Sequence, residues 1–251
     1  MDRKFFSAAA LVVGGFAVAG SASAAVTLNT SGLKANSTLT LSKSALDLAA
    51  SNGMSYSAGG NATGSGGTFV LPVTQAVLNV GLFTPTTPVS GKSIGSAVIV
   101  TKGSGATAKR VGLANFSVDY NTHQISGDLI YGKTSTNMSL FSFKEQTPLK
   151  LSLKGLSLTM NQTIGNLTLS SAANSAIATS LGLSTGAASS FAAVNFGTVV
   201  IDITTAKRTG KLAIGTRGFT PADMIPEPST YALMGLGLVG IGFVARRKAQ
   251  A

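Results

Sequence analysis

The 251-residue chain contains no cysteine and no tryptophan, one histidine, and few charged residues at 11%. The lack of cysteine excludes a disulfide scaffold, a thiolate metal site and a thiol nucleophile. The single His123 rules out any chemistry that needs two imidazoles. Aromatic residues are scarce at 6%, so a core must be assembled mainly from Val, Leu, Ile and Ala and buries modest area per residue. Acidic residues are also few: 19 Lys and Arg stand against 8 Asp and Glu. Arg3, Lys4, Arg246, Arg247, Lys248, Asp2 and Glu227 lie in the terminal segments; the remaining 14 against 6 leave the body at +8. A basic body suits acidic polysaccharide, lipid or extracellular DNA through screened attraction, but the charges form no run, which equally suits dispersed solubility charge.

What is present is concentrated at the two ends. Arg3 and Lys4 precede an apolar stretch from Phe5 to Ala19, which runs into Gly20-Ser21-Ala22-Ser23-Ala24-Ala25. A basic n-region, a short apolar h-region and small residues at −3 and −1 constitute a secretory signal, with Ala22 and Ala24 as the signal-peptidase site and a mature start near Ala25. The n-region has no twin arginine, so the general export machinery is expected to carry the chain unfolded.

The other end reads Pro226-Glu227-Pro228, then a glycine-rich apolar run from Tyr231 to Ala245, then Arg246-Arg247-Lys248. As a helix the run is about 23 Å long at ~1.5 Å per residue, short of the ~30 Å hydrocarbon core, so it reads as a stop-transfer tail. The basic cluster holds the C-terminus on the cytoplasmic side and leaves Pro226, Glu227 and Pro228 outside. This ordered combination closely resembles the PEP-CTERM sorting signal. The resemblance implies recognition of Pro226, Glu227 and Pro228 by the membrane enzyme exosortase, transient inner-membrane anchoring in a Gram-negative bacterium, and delivery to the cell surface or biofilm matrix, where exopolysaccharide is a candidate partner.

Between these ends, short β-branched runs separated by Gly and Pro fill the region 25–223. They occur at Phe69 to Leu78, Ser96 to Val100, Leu140 to Phe143, Leu149 to Leu153, Leu156 to Met160 and Thr198 to Ile203. Phe116, Val118 and Tyr120 alternate with polar residues and predict one buried face of a hairpin closed by Asn121-Thr122-His123. The predicted fold is mainly β, sandwich- or barrel-like, with one or two short Ala-rich helices, flanked by the signal helix and a C-terminal transmembrane helix. The domains expected are 1–24, 25–223 and 224–248. Residues 57–68, rich in Gly, Ser and Asn, are expected to form a flexible surface loop. Leu39-Thr40-Leu41-Ser42 leading to Gly53 echoes Leu167-Thr168-Leu169-Ser170 leading to Gly182. Each predicts strand, serine cap, helix and glycine stop, arising from duplicated halves or from chance. The phrasing of residues 37–203, including Phe69-Val70-Leu71-Pro72-Val73-Thr74, is faintly similar to HtaA-like exported β-domains, some of which bind haem; that resemblance implies no particular ligand residue here.

Candidate chemistry is sparse. Gly127 to Thr134 matches G-x-x-x-x-G-K-[ST], but Leu129-Ile130-Tyr131 is strand-like where a P-loop needs a loop before a helix, so no nucleotide site is expected. His123 lies near Asp119 and Asp128 in sequence without any G-x-S-x-G elbow. Asp119, Asp128 and Asp202 occur singly, which suggests no paired-carboxylate or calcium site. Tyr56, Tyr120 and Tyr131 are the tyrosines of the body that could ligate haem iron. Seven Asn-x-Ser/Thr triplets begin at Asn29, Asn36, Asn61, Asn115, Asn137, Asn161 and Asn166. The reading is of a non-enzymatic exported surface protein with no cofactor, no metal and no specific nucleic-acid partner; the alternative is a secreted module binding haem or an acidic polysaccharide.

Overall fold

The computed structural model describes residues 24–81, 85–154, 157–208 and 214–224. The apolar stretch of the signal, Ala22, the motif Pro226-Glu227-Pro228, the apolar tail and Arg246-Arg247-Lys248 lie outside the described residues, as do both flanking helices. Ala24 opens the first strand.

In chain order the elements are β1 (Ala24–Asn29), β2 (Leu33–Leu41), α1 (Lys43–Ser51), β3 (Met54–Gly60), β4 (Thr63–Ser65), β5 (Thr68–Pro72), β6 (Gln75–Val80), β7 (Thr87–Lys102), β8 (Lys109–Asp119), β9 (Gln124–Tyr131), β10 (Thr134–Lys154), β11 (Ser157–Leu169), α2 (Ser171–Leu181), α3 (Thr185–Ala193), β12 (Gly197–Lys207) and α4 (Pro221–Met224). All strand pairs are antiparallel and belong to one sheet, with β6 to β12 in sequence order followed by β2 and β5. The sheet curls until its ends meet. β5 pairs with β2, and three residues later β6 pairs with β7. Between them Val73 donates its amide to Ala35 O at 3.0 Å and Thr74 to Lys92 O at 2.8 Å. Thr30, fully buried, donates its hydroxyl to Val73 O at 2.7 Å and so satisfies the corner.

Alternation along the strands sends one set of side chains inward. Phe69, Val111, Leu140, Ile164, Leu167 and Leu181 are essentially inaccessible and join one continuous cluster. Although phenylalanines are few, Phe116, Phe141, Phe143, Phe191 and Phe196 are all in it; Phe141 packs edge-on to Phe196 with centroids 5.5 Å apart. A second, smaller cluster is formed by Ala35, Val73, Ala76, Leu78, Met160 and Ile203, with Leu149 and Leu158 packed against it; a third lies on the outer face, where Ala97, Ala114 and Ile130 meet Phe219.

Two units flank β12 and match in detail. β2 ends at Leu41 and β11 at Leu169. Ser42 accepts the Ala45 amide at 3.1 Å and donates to Asn195 O at 2.6 Å, while its own amide bonds Phe196 O. Ser170 accepts the Ala173 amide at 3.0 Å and donates to Ser139 O at 2.6 Å, while its own amide bonds Leu140 O. Helices α1 and α2 then stop at residues with positive φ, Gly53 and Gly182. Side-chain capping of an orphan amide and a left-handed glycine exit are what the sequence echo predicts. The helix α3 was not anticipated; Ser184 caps it through the Ala187 amide at 3.3 Å.

The segment 57–68 differs from expectation. Residues 57–60 belong to β3, which pairs with β7 from Met54↔Lys102 to Gly60↔Ser96, and 63–65 form β4 against β5. Glycine here serves close approach: a β-carbon on Gly60 would lie 2.0 Å from Gly95 O. With φ at +60°, this position favours a residue without a side chain.

Candidate functional site

The interior of the curled sheet is not filled end to end. Two hollows share Leu39, Phe116 and Phe141 as a common wall. One, of about 50 Å³, lies beneath α2 and α3 and is lined by Tyr56, Leu181 and Phe191 among others. The other, of about 90 Å³, lies toward the opposite end, between Leu78, Pro88, Tyr120, Leu149, Met160 and Ile203. Phe116, Val118 and Tyr120, the alternating residues of β8 and its turn, all line it. The predicted buried face is therefore the wall of a cavity.

Tyr120 is 8% exposed and its hydroxyl makes no hydrogen bond to any described residue. Burial raises its pKa, and the Glu145 carboxylate adds to the rise, so the phenol stays protonated through the ordinary pH range. Tyr56 faces the helix-covered hollow, and burial pushes it up to about 12. Tyr131 is exposed on the β9–β10 end. The structure thus separates the three tyrosines that sequence grouped as candidate iron ligands.

His123 sits at the end of the β8–β9 turn with φ of +53°. Its Nε2 lies 3.7 Å from Glu145 Oε1, and its ring lies against Phe143 at 5.5 Å. Tyr120 meets the same Phe143 at 5.6 Å, and Gln162 donates to Glu145 Oε2 at 2.8 Å. Glu145 is the partner that sequence reasoning missed, because it reaches His123 across the β9–β10 pairing. The aspartates near His123 in sequence are committed elsewhere: Asp119 accepts the amides of Asn121 and Thr122, and Asp128 accepts from Asn115 and Asn137. Asp202 takes Asn161 across the β11–β12 pair. Among the described residues no serine is bonded to His123, and no three His, Cys, Asp or Glu gather as metal ligands. Gly132 and Lys133 form the tight connection between β9 and β10, so the P-loop-like string Gly127–Thr134 spans strand, turn and strand.

Asparagine does structural work throughout. All seven Asn-x-Ser/Thr asparagines hydrogen-bond through their side chains within the chain. Two of them clamp the segment that precedes the sorting motif. Asn61 donates to Gly215 O at 2.7 Å. Asn115, itself left-handed with φ of +53°, accepts the Phe219 amide at 2.8 Å and donates to Phe219 O at 2.9 Å. Phe219 is buried against the outer face, and Met224 packs so closely on β8 that a β-carbon at Gly112 would lie 2.7 Å from its sulfur. Thr220 and Asp223 complete the strap: Asp223 accepts both the amide and hydroxyl of Thr220 at 2.8 Å and pairs with Arg217 at 2.5 Å. Partial burial opposes ionisation of Asp223, but the bonds from Arg217 and Thr220 prevail and hold its carboxyl below the usual range. Thr220-Pro221-Ala222-Asp223 is a capping-box sequence with proline at the first helical position; that signal could have revealed the strap.

Residues 225–248 match the PEP-CTERM protein-sorting motif. The match implies an exosortase-sorted, exported chain held transiently in the membrane of a Gram-negative bacterium. Among solved structures the chain is similar to the C-terminal domain of HtaA from Corynebacterium glutamicum, at 13% identity and a TM-score of 0.40, over 69% of this chain and 98% of that one. No curated protein matches it. Among the described residues no helix is long and apolar enough to cross a membrane.

Proposed function

We propose that this chain is a non-enzymatic cell-surface or biofilm-matrix protein. In this reading it is exported by the general pathway, held by its tail, and released or transferred by exosortase at Pro226-Glu227-Pro228. The observation that supports this reading is the match of residues 225–248 to the sorting motif, directly after a strap whose last described residue, Met224, packs on β8. Processing at the motif would leave every described strand and the strap in the product. The test is intact mass and cell fraction in the host, for wild type and for Pro226, Glu227 and Pro228 replaced together by alanine. Loss of the tail and arrival at the surface in wild type, with a full-length membrane-bound variant, is the expected result. Identical mass and location for both would overturn it.

A second reading, a ligand-binding module, is favoured by one feature: an apolar cavity with a single unpaired phenol in its wall. For haem the three tyrosines offer no convergent set of ligands: Tyr120 lines this cavity, Tyr56 the helix-covered hollow, and Tyr131 is exposed. Acidic polysaccharide draws support only from exposed cations such as Arg110, Lys133, Lys150 and Lys207, which lie at both ends of the sheet.

A further inference from the structure

Five large apolar side chains are exposed among the described residues, and four of them surround the open end of the sheet: Val26 at 37%, Val80 at 41%, Leu151 at 43% and Leu153 at 77%. Register puts all four on the inner face. Val26 lies opposite the buried Leu78, Val80 is two residues beyond Leu78, Leu151 lies opposite the buried Met160, and Leu153 lies opposite Leu158, which packs in the same cluster as Met160. Cross-strand partners share a face, so the apolar lining of the interior continues past the core as a rim around the cavity of about 90 Å³. Lys150, between Leu149 and Leu151 on β10, points to the other side by the same alternation.

Few polar side chains line the cavity inside that rim. Gln162 is bound to Glu145 and Ser37 to Leu71 O at 3.1 Å, whereas the hydroxyls of Tyr120, Ser90 and the buried Ser93 make no hydrogen bond to a described residue. An apolar concavity with a few placed hydrogen-bonding groups is how small-ligand sites are built. The Glu145 carboxylate beside the phenol raises the cost of bringing a second anion there.

We propose that the open end of the sheet binds a single-chain amphiphile, an unbranched alkyl or acyl chain ending in an uncharged oxygen group, with Tyr120 donating to that oxygen and the chain lying against the cavity and its rim. This rests on the ligand-binding reading and deepens it. The sorting motif plays no part in the site.

The test uses the full chain in phosphatidylcholine nanodiscs with two photoreactive probes, a ten-carbon alcohol and the carboxylate of equal length, both carrying a diazirine, at pH 8. Cross-linked peptides are mapped by mass spectrometry. The alcohol should label the peptides containing Val80 and Leu151–Leu153, and the carboxylate about tenfold less. Tyr120→Phe should lower alcohol labelling by up to about tenfold, the equivalent of one hydrogen bond. Ala76→Leu, which fills the cavity from its wall, should abolish labelling while leaving the thermal unfolding curve in place. Equal labelling by both probes removes the uncharged-head inference while leaving the ligand-binding reading standing. Labelling scattered over the surface, labelling indifferent to Ala76→Leu, or a concentration-dependent dimer that shields the rim overturns the proposal. Repeating the labelling on the Pro226-Glu227-Pro228 alanine variant keeps the result independent of sorting.

Discussion

The two ends of the curled sheet are made by the same strands yet finished differently. At one, α2 and α3 lie over the interior, Leu181 and Phe191 seal it, and the hollow left is about 50 Å³. At the other no helix among the described residues covers the interior; the lining runs out into Val80, Leu151 and Leu153, and the hollow is about 90 Å³. Each end holds a tyrosine, the half-buried Tyr56 beneath the helices and the buried Tyr120 near the rim. The difference teaches that inward apolar alternation does not itself specify a sealed core. Closure needs added elements, and among the described residues they are supplied at one end only.

The sharpest way to break the comparison is to cut equivalent apolar mass from both ends. Leu181→Ala at the sealed end should cost about 2–5 kcal/mol, by transfer and cavity terms together, read from urea midpoints at constant slope. Leu153→Ser at the open end should change stability by no more than ~0.5 kcal/mol, as exposed sites do. Similar losses at both positions would show that the open end is packed in solution. A smaller effect separates the capping serines. Ser42→Ala and Ser170→Ala should each cost about 1–2 kcal/mol, since each removes a helix cap and a second bond to a neighbouring strand. Matching values would show that the two units are energetically alike. The smallest effect is confined to alkaline pH. Tyr56 titrates from 10.0 when unfolded to about 12 in the fold, so its contribution is full below pH 10 and is lost as pH rises toward 12. Absorbance at 295 nm should show fewer tyrosinates than Tyr56→Phe and wild type would share if Tyr56 were exposed: the two proteins should differ little at pH 11 when folded, and by one tyrosinate in urea.

Much of this was legible in the chain itself. The serine–helix–glycine units could be read because their determinants are local: an N-cap oxygen, alanines and a glycine exit within a dozen residues. The β8–β9 hairpin was readable because Phe116, Val118 and Tyr120 keep a period of two. Less could be inferred where the partner is distant in sequence. The glycines of 57–68 look like a linker by composition, and only their pairing to β7 and β5 makes them strand. Glu145 is invisible as the neighbour of His123 until β9 and β10 are placed in register. That Tyr120 is unpaired while Gln162 is committed follows from three-dimensional packing, which a pattern of apolar residues does not encode. The sorting tail was legible for the opposite reason: it is a linear signal, read in order.

In the proposed tethered state the strap would have a mechanical character. A chain held by a bilayer beyond its C-terminal motif and pulled from the body would feel tension first at Met224, among the described residues. That side chain rests on Gly112 by van der Waals contact, the Arg217–Asp223 pair comes next, then Phe219 with its two backbone bonds to Asn115, and the bonds of Gly215 to Asn61 and Ile214 to Ser31 come last. Such anchors yield one at a time, like a zip fastener, whereas the ladder bonds of β8 and its neighbours would have to fail together. The segment therefore acts as extensible slack of about 11 residues, roughly 35 Å at ~3.3 Å each, which lengthens under load before the sheet itself is strained.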